Sequence, residues 1–138
     1  MANRPQTAAA PLKVLICDDD AMCRRVAAAM LAPANMQADE FSSPISALDA
    51  LRSSHYDVVL MDLSMPEMNG IETTRTIRSM SGAPRRVPII GVTAHAMTRD
   101  LALCLASGMN AVVTKPINRL VLLETIARMV AGPRLETA

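Results

Sequence analysis

The chain has 138 residues, 51% of them hydrophobic and 20% charged, with a formal net charge of +1. That is the size of one ordinary domain with ample apolar material for a core, without the bulk basic field on which nucleic-acid binders rely. One Phe, one Tyr and no Trp leave no base-stacking surface, so no nucleic-acid partner is expected.

In chain order, residues 1–10 carry Ala and Pro but no apolar signal-peptide core, and they read as a disordered lead-in. Val14-Leu15-Ile16-Cys17 is a first strand. Ala21 to Leu31 follows as a helix with Met22, Val26, Ala29 and Met30 on one side. Met36 to Phe41 is a weaker second strand. Pro44 opens the second helix behind a Ser43 cap, and the helix continues through Ala47, Leu48 and Leu51. Val58-Val59-Leu60-Met61 is the third strand, and Asn69 to Met80 the third helix. Val87 to Val92 is the fourth strand; Thr98 to Ala106 is the fourth helix, ended by Gly108. Ala111-Val112-Val113 and a helix over Asn118 to Val130 complete the series. The runs for strands one, three, four and five are continuous rather than alternating, as in strands covered on both faces. Strand-helix alternation of this kind predicts an α/β domain. The expected architecture is a flavodoxin-like doubly wound parallel sheet, (βα)5, with strand order 2-1-3-4-5. The domain is expected over residues 11–131, with a flexible tail over 132–138.

The odd set of Cys17, Cys23 and Cys104, with no C-x-x-C pair, reads as buried reduced thiols. No apolar run approaches the ~18 residues of a membrane span. A cytoplasmic protein with no membrane partner is the expectation, and the initiating Met1 suggests a complete chain.

In such a sheet ligands bind beyond the carboxyl ends of the strands. Strand one ends in Asp18-Asp19-Asp20, strand three in Asp62, strand four in Thr93, and strand five in Thr114-Lys115-Pro116. Crowded carboxylates repel one another unless a cation sits between them, and oxygen ligands suit Mg²⁺. A carboxylate is also a nucleophile able to form an acyl phosphate, whose oxygens Lys115 and the Thr93 hydroxyl could hold. Taken singly these residues have plainer roles. Asp20 stands next to the helix start and reads as its cap, a lone lysine is usually solvated, and a strand-end threonine is commonly a turn residue. Capping does not explain Asp62, which follows a different strand.

These segments resemble a known family. Val14 to Asp20, Val58 to Gly70, Val92-Thr93-Ala94-His95-Ala96 and Gly108 to Ile117 are similar, in order, to the four motifs of response-regulator receiver domains. The resemblance covers Leu12 to Val130. It implies a stand-alone phosphorylation switch of a two-component system or phosphorelay, which catalyses only its own phosphorylation and dephosphorylation. Asp62 would be the phosphoacceptor. Mg²⁺ would be held by Asp19 and Asp62, by Asp18 through a water, and by the Ser64 carbonyl. Thr93 and Lys115 would contact the phosphoryl group, and the Lys115-Pro116 bond would be cis. Ser64 and His95, two residues beyond Asp62 and Thr93, would tune the phosphoryl lifetime. The donor would be a histidine kinase or histidine phosphotransfer protein. A downstream protein would dock on the face made by the fourth helix, fifth strand and fifth helix. Val112 departs from the family, which usually carries Tyr or Phe there; a valine has no comparable ring swing and is stiff at χ1. The expectation is that Thr93 still closes on the phosphoryl group while the output face responds differently.

Two alternatives remain at this stage. Asp18-x-Asp20 superficially fits a Mg²⁺-dependent phosphatase of the haloacid-dehalogenase kind, though no cap segment is present. A pseudo-receiver that only binds a partner would need none of the acidic, Thr and Lys set. In the last helix, Leu120, Leu123, Ile126, Ala127 and Val130 form one stripe at about 100° per residue, with Leu122 and Met129 at its side. The breadth of that arc suggests either a deep seat or a partner or homodimer surface. Arg24 and Arg25 are candidates for steering an acidic donor.

Overall fold

The computed structural model describes residues 11–65, 68–94 and 98–137, with backbone alone for 98, 99 and 131–137. The lead-in expected over 1–10 lies outside the described residues. The elements run β1 (Leu12–Cys17), α1 (Ala21–Leu31), β2 (Met36–Phe41), α2 (Pro44–Ser53), β3 (Val58–Asp62), α3 (Gly70–Arg78), β4 (Ile89–Thr93), α4 (Thr98–Ser107), β5 (Ala111–Thr114) and α5 (Arg119–Thr137). Single 3₁₀ turns follow α1 (Ala32–Ala34) and α3 (Ala83–Arg86). All strand pairs are parallel and the sheet order is β2-β1-β3-β4-β5, the doubly wound order expected from the sequence.

Because successive side chains point to opposite faces of a strand, each apolar run feeds two cores. Val14, Ile16, Val58, Leu60, Ile90, Val92 and Val113 face Ala27 and Leu31 of α1 and Leu122 and Ile126 of α5. Leu15, Cys17, Val59, Met61 and Ile89 face α2, α3 and α4 through Leu48, Leu51, Ile77 and Cys104. The two layers differ in chemistry. The buried residues of the first are branched aliphatics and alanine, which hold few rotamers. The second buries Cys17, Met61, Met65, Cys104 and Met109, soft and adaptable side chains. Met109 lies so close over Gly91 that a Cβ there would stand 2.6 Å from its sulfur.

Local sequence fixes the helix ends. Ser43 caps α2, its hydroxyl accepting from Ser46 N–H, with Pro44 in the first turn. Asn69 and Glu72 form a reciprocal capping box at the start of α3, at 2.9 and 3.1 Å, worth about 1 kcal/mol. Gly108 takes φ +116° after α4, a conformation costly for any residue with a Cβ.

Two expectations change in detail. β4 begins at Ile89 rather than Val87, because Val87 closes the 3₁₀ turn through its N–H to the Pro84 carbonyl. Among the residues of α5 whose side chains are described, Leu122, Thr125 and Ile126 are buried, whereas Leu120 and Ala127 are exposed. Leu122, placed at the side of the stripe by the helical wheel, is core and cannot be an interface residue. A wide apolar arc does not say which of its edges meets the sheet; packing against Val113 and its layer decides it. α5 also continues to Thr137, past Val130 where the apolar repeat ends and through Gly132 and Pro133, an extension that helix propensity does not explain.

Arg78 joins the end of α3 to two other segments. Its guanidinium donates to the Gly108 carbonyl at 2.9 and 2.7 Å, to Asn110 Oδ1 at 2.9 Å, and to the Arg85 and Val87 carbonyls at 2.8 and 2.7 Å. Burial depresses its pKa, and the carbonyl dipoles replace the lost water. Asn110 Oδ1 also accepts from Ile89 N–H at 2.8 Å, so the latch reaches the first residue of β4. Arg78→Met keeps the stem but leaves several half-buried carbonyls without a donor. The expected loss is about 2–4 kcal/mol of unfolding free energy, read from urea denaturation; a loss under about 0.5 kcal/mol, the range of ordinary surface changes, contradicts the latch.

Candidate functional site

Four parallel strands end at one edge, and each delivers polar groups there. β1 runs into Asp18, Asp19 and Asp20. Asp18 is buried and its backbone N–H donates to the Phe41 carbonyl at 3.1 Å, while Asp19 and Asp20 are exposed. Asp20 is the cap of α1, accepting from Met22 N–H at 2.9 Å and Cys23 N–H at 3.5 Å. Those two bonds hold its carboxyl below the usual range. Asp62 ends β3, buried to 4% exposure, and accepts from Ser64 N–H at 3.3 Å. Thr93 ends β4 one register step past Val92, the partner of Asp62, and its carbonyl accepts from Lys115 N–H at 2.7 Å. Lys115 follows β5, and the Lys115–Pro116 peptide is cis.

The sequence-predicted carboxylates converge. Oxygens of Asp18, Asp19 and Asp62 lie within 4.8 Å of one another. The Lys115 Nζ stands 3.4 Å from Asp18 Oδ2 and 3.5 Å from Asp62 Oδ1. Three carboxylates thus face one ammonium. Burial and then the charge of Asp18 raise Asp62 to a pKa of about 6, against the Ser64 N–H and Lys115, which pull it down. Burial alone would lower Lys115, but Asp62 and Asp18 together outweigh it and its pKa moves up. Burial, followed by the charges of Asp18 and Asp62, pushes the Cys17 thiol up to about 12, so it is an inert core thiol whose Sγ sits 3.6 Å from Met65 Sδ. An all-oxygen donor set with excess negative charge fits a hard divalent cation such as Mg²⁺. His95, expected to tune lifetime, lies outside the described residues.

Two positioning residues escaped the sequence reading. Arg24, expected to steer a partner, is committed to its own chain: Nη1 donates to the Asp18 carbonyl at 2.8 Å and Nε meets Glu40 Oε1 at 3.4 Å. It ties the end of β1 to β2 and fixes the aspartate loop. Gly70 starts α3 against the back of Asp62: a Cβ there would stand 2.5 Å from the Asp62 carbonyl oxygen and 3.0 Å from Leu63 Cα. Only glycine lets α3 approach so closely, and Gly70 N–H bonds the Leu63 carbonyl at 3.2 Å. The pairing of an acidic strand end with a glycine eight positions on (Asp62 and Gly70) was the available signal.

Comparisons with known proteins agree with this geometry. A family model described as the response regulator receiver domain matches residues 14–127. Sensor histidine kinase RcsC of Escherichia coli is 34% identical over 115 residues, 83% of this chain and 12% of that protein. The CAI-1 autoinducer sensor kinase/phosphatase CqsS of Vibrio cholerae is 35% identical over 118 residues, 86% of this chain and 17% of that protein. The chain therefore spans only a small part of these curated relatives. Among solved structures, the receiver domain of sensor histidine kinase PA1611 from Pseudomonas aeruginosa, with magnesium coordinated in its active site cleft, is 33% identical. It aligns with a TM-score of 0.81 over 88% of this chain and 99% of that one. The Vibrio cholerae chemotaxis protein CheY4 is 27% identical, with a TM-score of 0.81 over 87% and 99% of the two chains.

The raised Asp62 makes a signed prediction for the metal-free protein. Its folded pKa of about 6 exceeds the ordinary 3.8, so its contribution to stability is fully present below the unfolded value and is lost as pH rises through about 6. Asp62→Asn removes that loss. In chelator it is expected to be more stable than the parent at pH 7.5 by about 1–2 kcal/mol, with the gain fading by about pH 4. Denaturant titrations at the two pH values check this; an equal gain at both contradicts it.

Proposed function

The chain belongs to the response regulator receiver family of signalling switches, and on that premise we propose that Asp62 takes a phosphoryl group from a phosphohistidine donor. One observation carries the assignment: Lys115 reaches both Asp18 and Asp62 across three strand ends, an arrangement that capping or solubility does not require.

In the proposed reaction an Asp62 carboxylate oxygen bonds to phosphorus as the bond between phosphorus and the donor imidazole nitrogen breaks, and the bonding pair returns to the imidazole. Asp62 must be deprotonated, which its pKa of about 6 allows at neutral pH. Ser64 N–H holds one carboxylate oxygen in place. The Lys115 ammonium shifts from the carboxylates to an oxygen of the incoming group, and the Thr93 hydroxyl takes another. Mg²⁺, held by Asp18, Asp19, Asp62 and the Ser64 carbonyl, would neutralise phosphoryl charge. Hydrolysis of the acyl phosphate resets the switch. In this reading the protein's only chemistry is its own phosphorylation and dephosphorylation, with Ser64 and His95 setting its lifetime.

The donor is a histidine kinase or phosphotransfer protein. Support for where it docks comes from Met22 and Val26, exposed by 68% and 43% on α1 within two turns of the Asp20 cap. The output is a changed protein contact, assigned to the α4–β5–α5 face, where Leu105, Leu120 and Val121 are exposed; a homodimer through the same face is part of the proposal. Val112 is half-buried there, against the layer that holds Met109. The unit is taken as residues 11–131 and its setting as cytoplasmic; among the described residues no helix is long and apolar enough to cross a membrane.

Acetyl phosphate with Mg²⁺ is expected to load the parent chain with an acid-stable, hydroxylamine-labile phosphoryl group, and Asp62→Asn to abolish it, as read by intact mass. Asp19→Asn is expected to raise the Mg²⁺ concentration needed. Loading that survives Asp62→Asn but is lost with Asp18→Asn would overturn the assignment in favour of a phosphatase-type nucleophile.

A further inference from the structure

A groove lies at the other end of the sheet. Its lining includes Asp57 and Pro88, which precede β3 and β4, whereas Asp62 and Thr93 end those strands. The two ends are separated by the length of β3, roughly 16 Å. The groove holds about 520 Å³, within the range of binding sites. Leu51, Val87 and Met129 contribute its apolar floor, and Arg52, His55 and Arg86 its rim.

The charge of this groove is one-sided. Among the described residues its lining holds one carboxylate, Asp57, with both oxygens engaged: Oδ2 accepts from Lys13 N–H at 2.8 Å and Oδ1 pairs with His55 Nε2 at 3.0 Å. Arg52 meets Asp49 at 3.2 Å, but those side chains are 57% and 72% exposed, and such a pair is worth little. Arg86 is exposed. A second cavity of about 470 Å³ shares Arg52 and Pro84 with the first and is lined by the hydroxyl residues Thr76, Ser79 and Ser81. The two basins thus share a cationic ridge. Asp18, Asp19, Asp20 and Asp62 gather at the carboxyl ends of the strands with Arg24 and Lys115 among them, and exposed Arg52 and Arg86 stand at the amino ends beside the engaged Asp57.

We infer that this trough docks an acidic, partly apolar segment of a partner protein. Carboxylates of the segment would meet Arg52 and Arg86, and an apolar side chain would occupy the floor between Leu51 and Met129. Two basins divided by a ridge suit an extended chain with two anchors better than one compact molecule. Tyr56 is buried, with its hydroxyl donating to Asp39 Oδ2 at 2.7 Å, and offers no stacking face, while exposed His55 is engaged with Asp57 at 3.0 Å; binding of a nucleic-acid strand is an outcome that the test distinguishes. The inference is independent of phosphorylation at Asp62.

The test uses the full chain and a short fluorescein-labelled peptide alternating Leu and Glu, followed by anisotropy. A peptide with Lys in place of Glu and a short single-stranded DNA serve as comparisons. The acidic peptide is expected to bind, and Arg52→Glu with Arg86→Glu to weaken it roughly tenfold or more, with phosphoryl loading at Asp62 unchanged. Both residues are exposed, so the variant keeps its far-ultraviolet spectrum. Amide shifts on adding the acidic peptide are expected at Arg52, His55 and Arg86 and not at Asp62. No binding of the acidic peptide overturns the inference, as does equal binding of the Lys peptide or the DNA, insensitivity to the double charge reversal, or shifts centred elsewhere.

Discussion

The structure depends on keeping two buried carboxylates of like charge together. Asp18 and Asp62 end neighbouring strands, and parallel pairing of Ile16 with Leu60 and Cys17 with Met61 gives them no freedom to separate. Both are held by donors: Lys115 between them, the Ser64 N–H on Asp62 and the Asp20 N–H on Asp18 at 2.9 Å. That partial compensation leaves Asp62 with a raised pKa and the edge with an appetite for cations. The surrounding devices serve this crowding. Arg24 fixes the aspartate loop from behind, and Gly70 lets α3 press against the end of β3. A site made of mutually repelling groups has a large electrostatic response to any new charge, which is what a switch requires.

The fold was legible because its pattern is redundant. Continuous apolar runs at Val14–Cys17 and Val58–Met61 name central strands, and Pro44, Asn69 and Gly108 punctuate the helices by mechanisms that need no tertiary context. The chemistry at the strand ends followed from topology, since parallel strands must end together. Legibility failed where the meaning of a residue is set by distant partners. Nothing local distinguishes Arg24, folded inward to Asp18 and Glu40, from exposed Arg25. Arg78 reads as a helix-surface arginine until the Gly108 and Val87 carbonyls are seen around it. In α5 a broad apolar arc left the buried edge undetermined, and Leu122 was placed on the wrong side of it.

The two halves of the molecule divide the work. The carboxyl ends of the strands gather carboxylates, where the proposed cation and phosphoryl group would sit; the amino ends carry Arg52 and Arg86 around an apolar floor. Because the strands between them are short, stiff and buried on both faces, neither end need be near the other to sit on the same rigid body. α1 presents Met22 and Val26 beside the acidic edge, so the apolar surface nearest the site is on a helix whose first turn the Asp20 cap holds firm.

The sulfur-lined layer gives the protein a grain. On the α1–α5 side, Val14, Ile16, Ile90, Val92 and Ile126 interlock with few rotamers to spare, and a methylene added or removed there has nowhere to be absorbed. On the α2–α4 side, the thioethers of Met61, Met65 and Met109 can re-coil around a changed neighbour. Sequence drift should therefore be recorded unevenly across the sheet, with one face holding its side-chain volumes nearly fixed and the other exchanging them freely while the strands between stay in register.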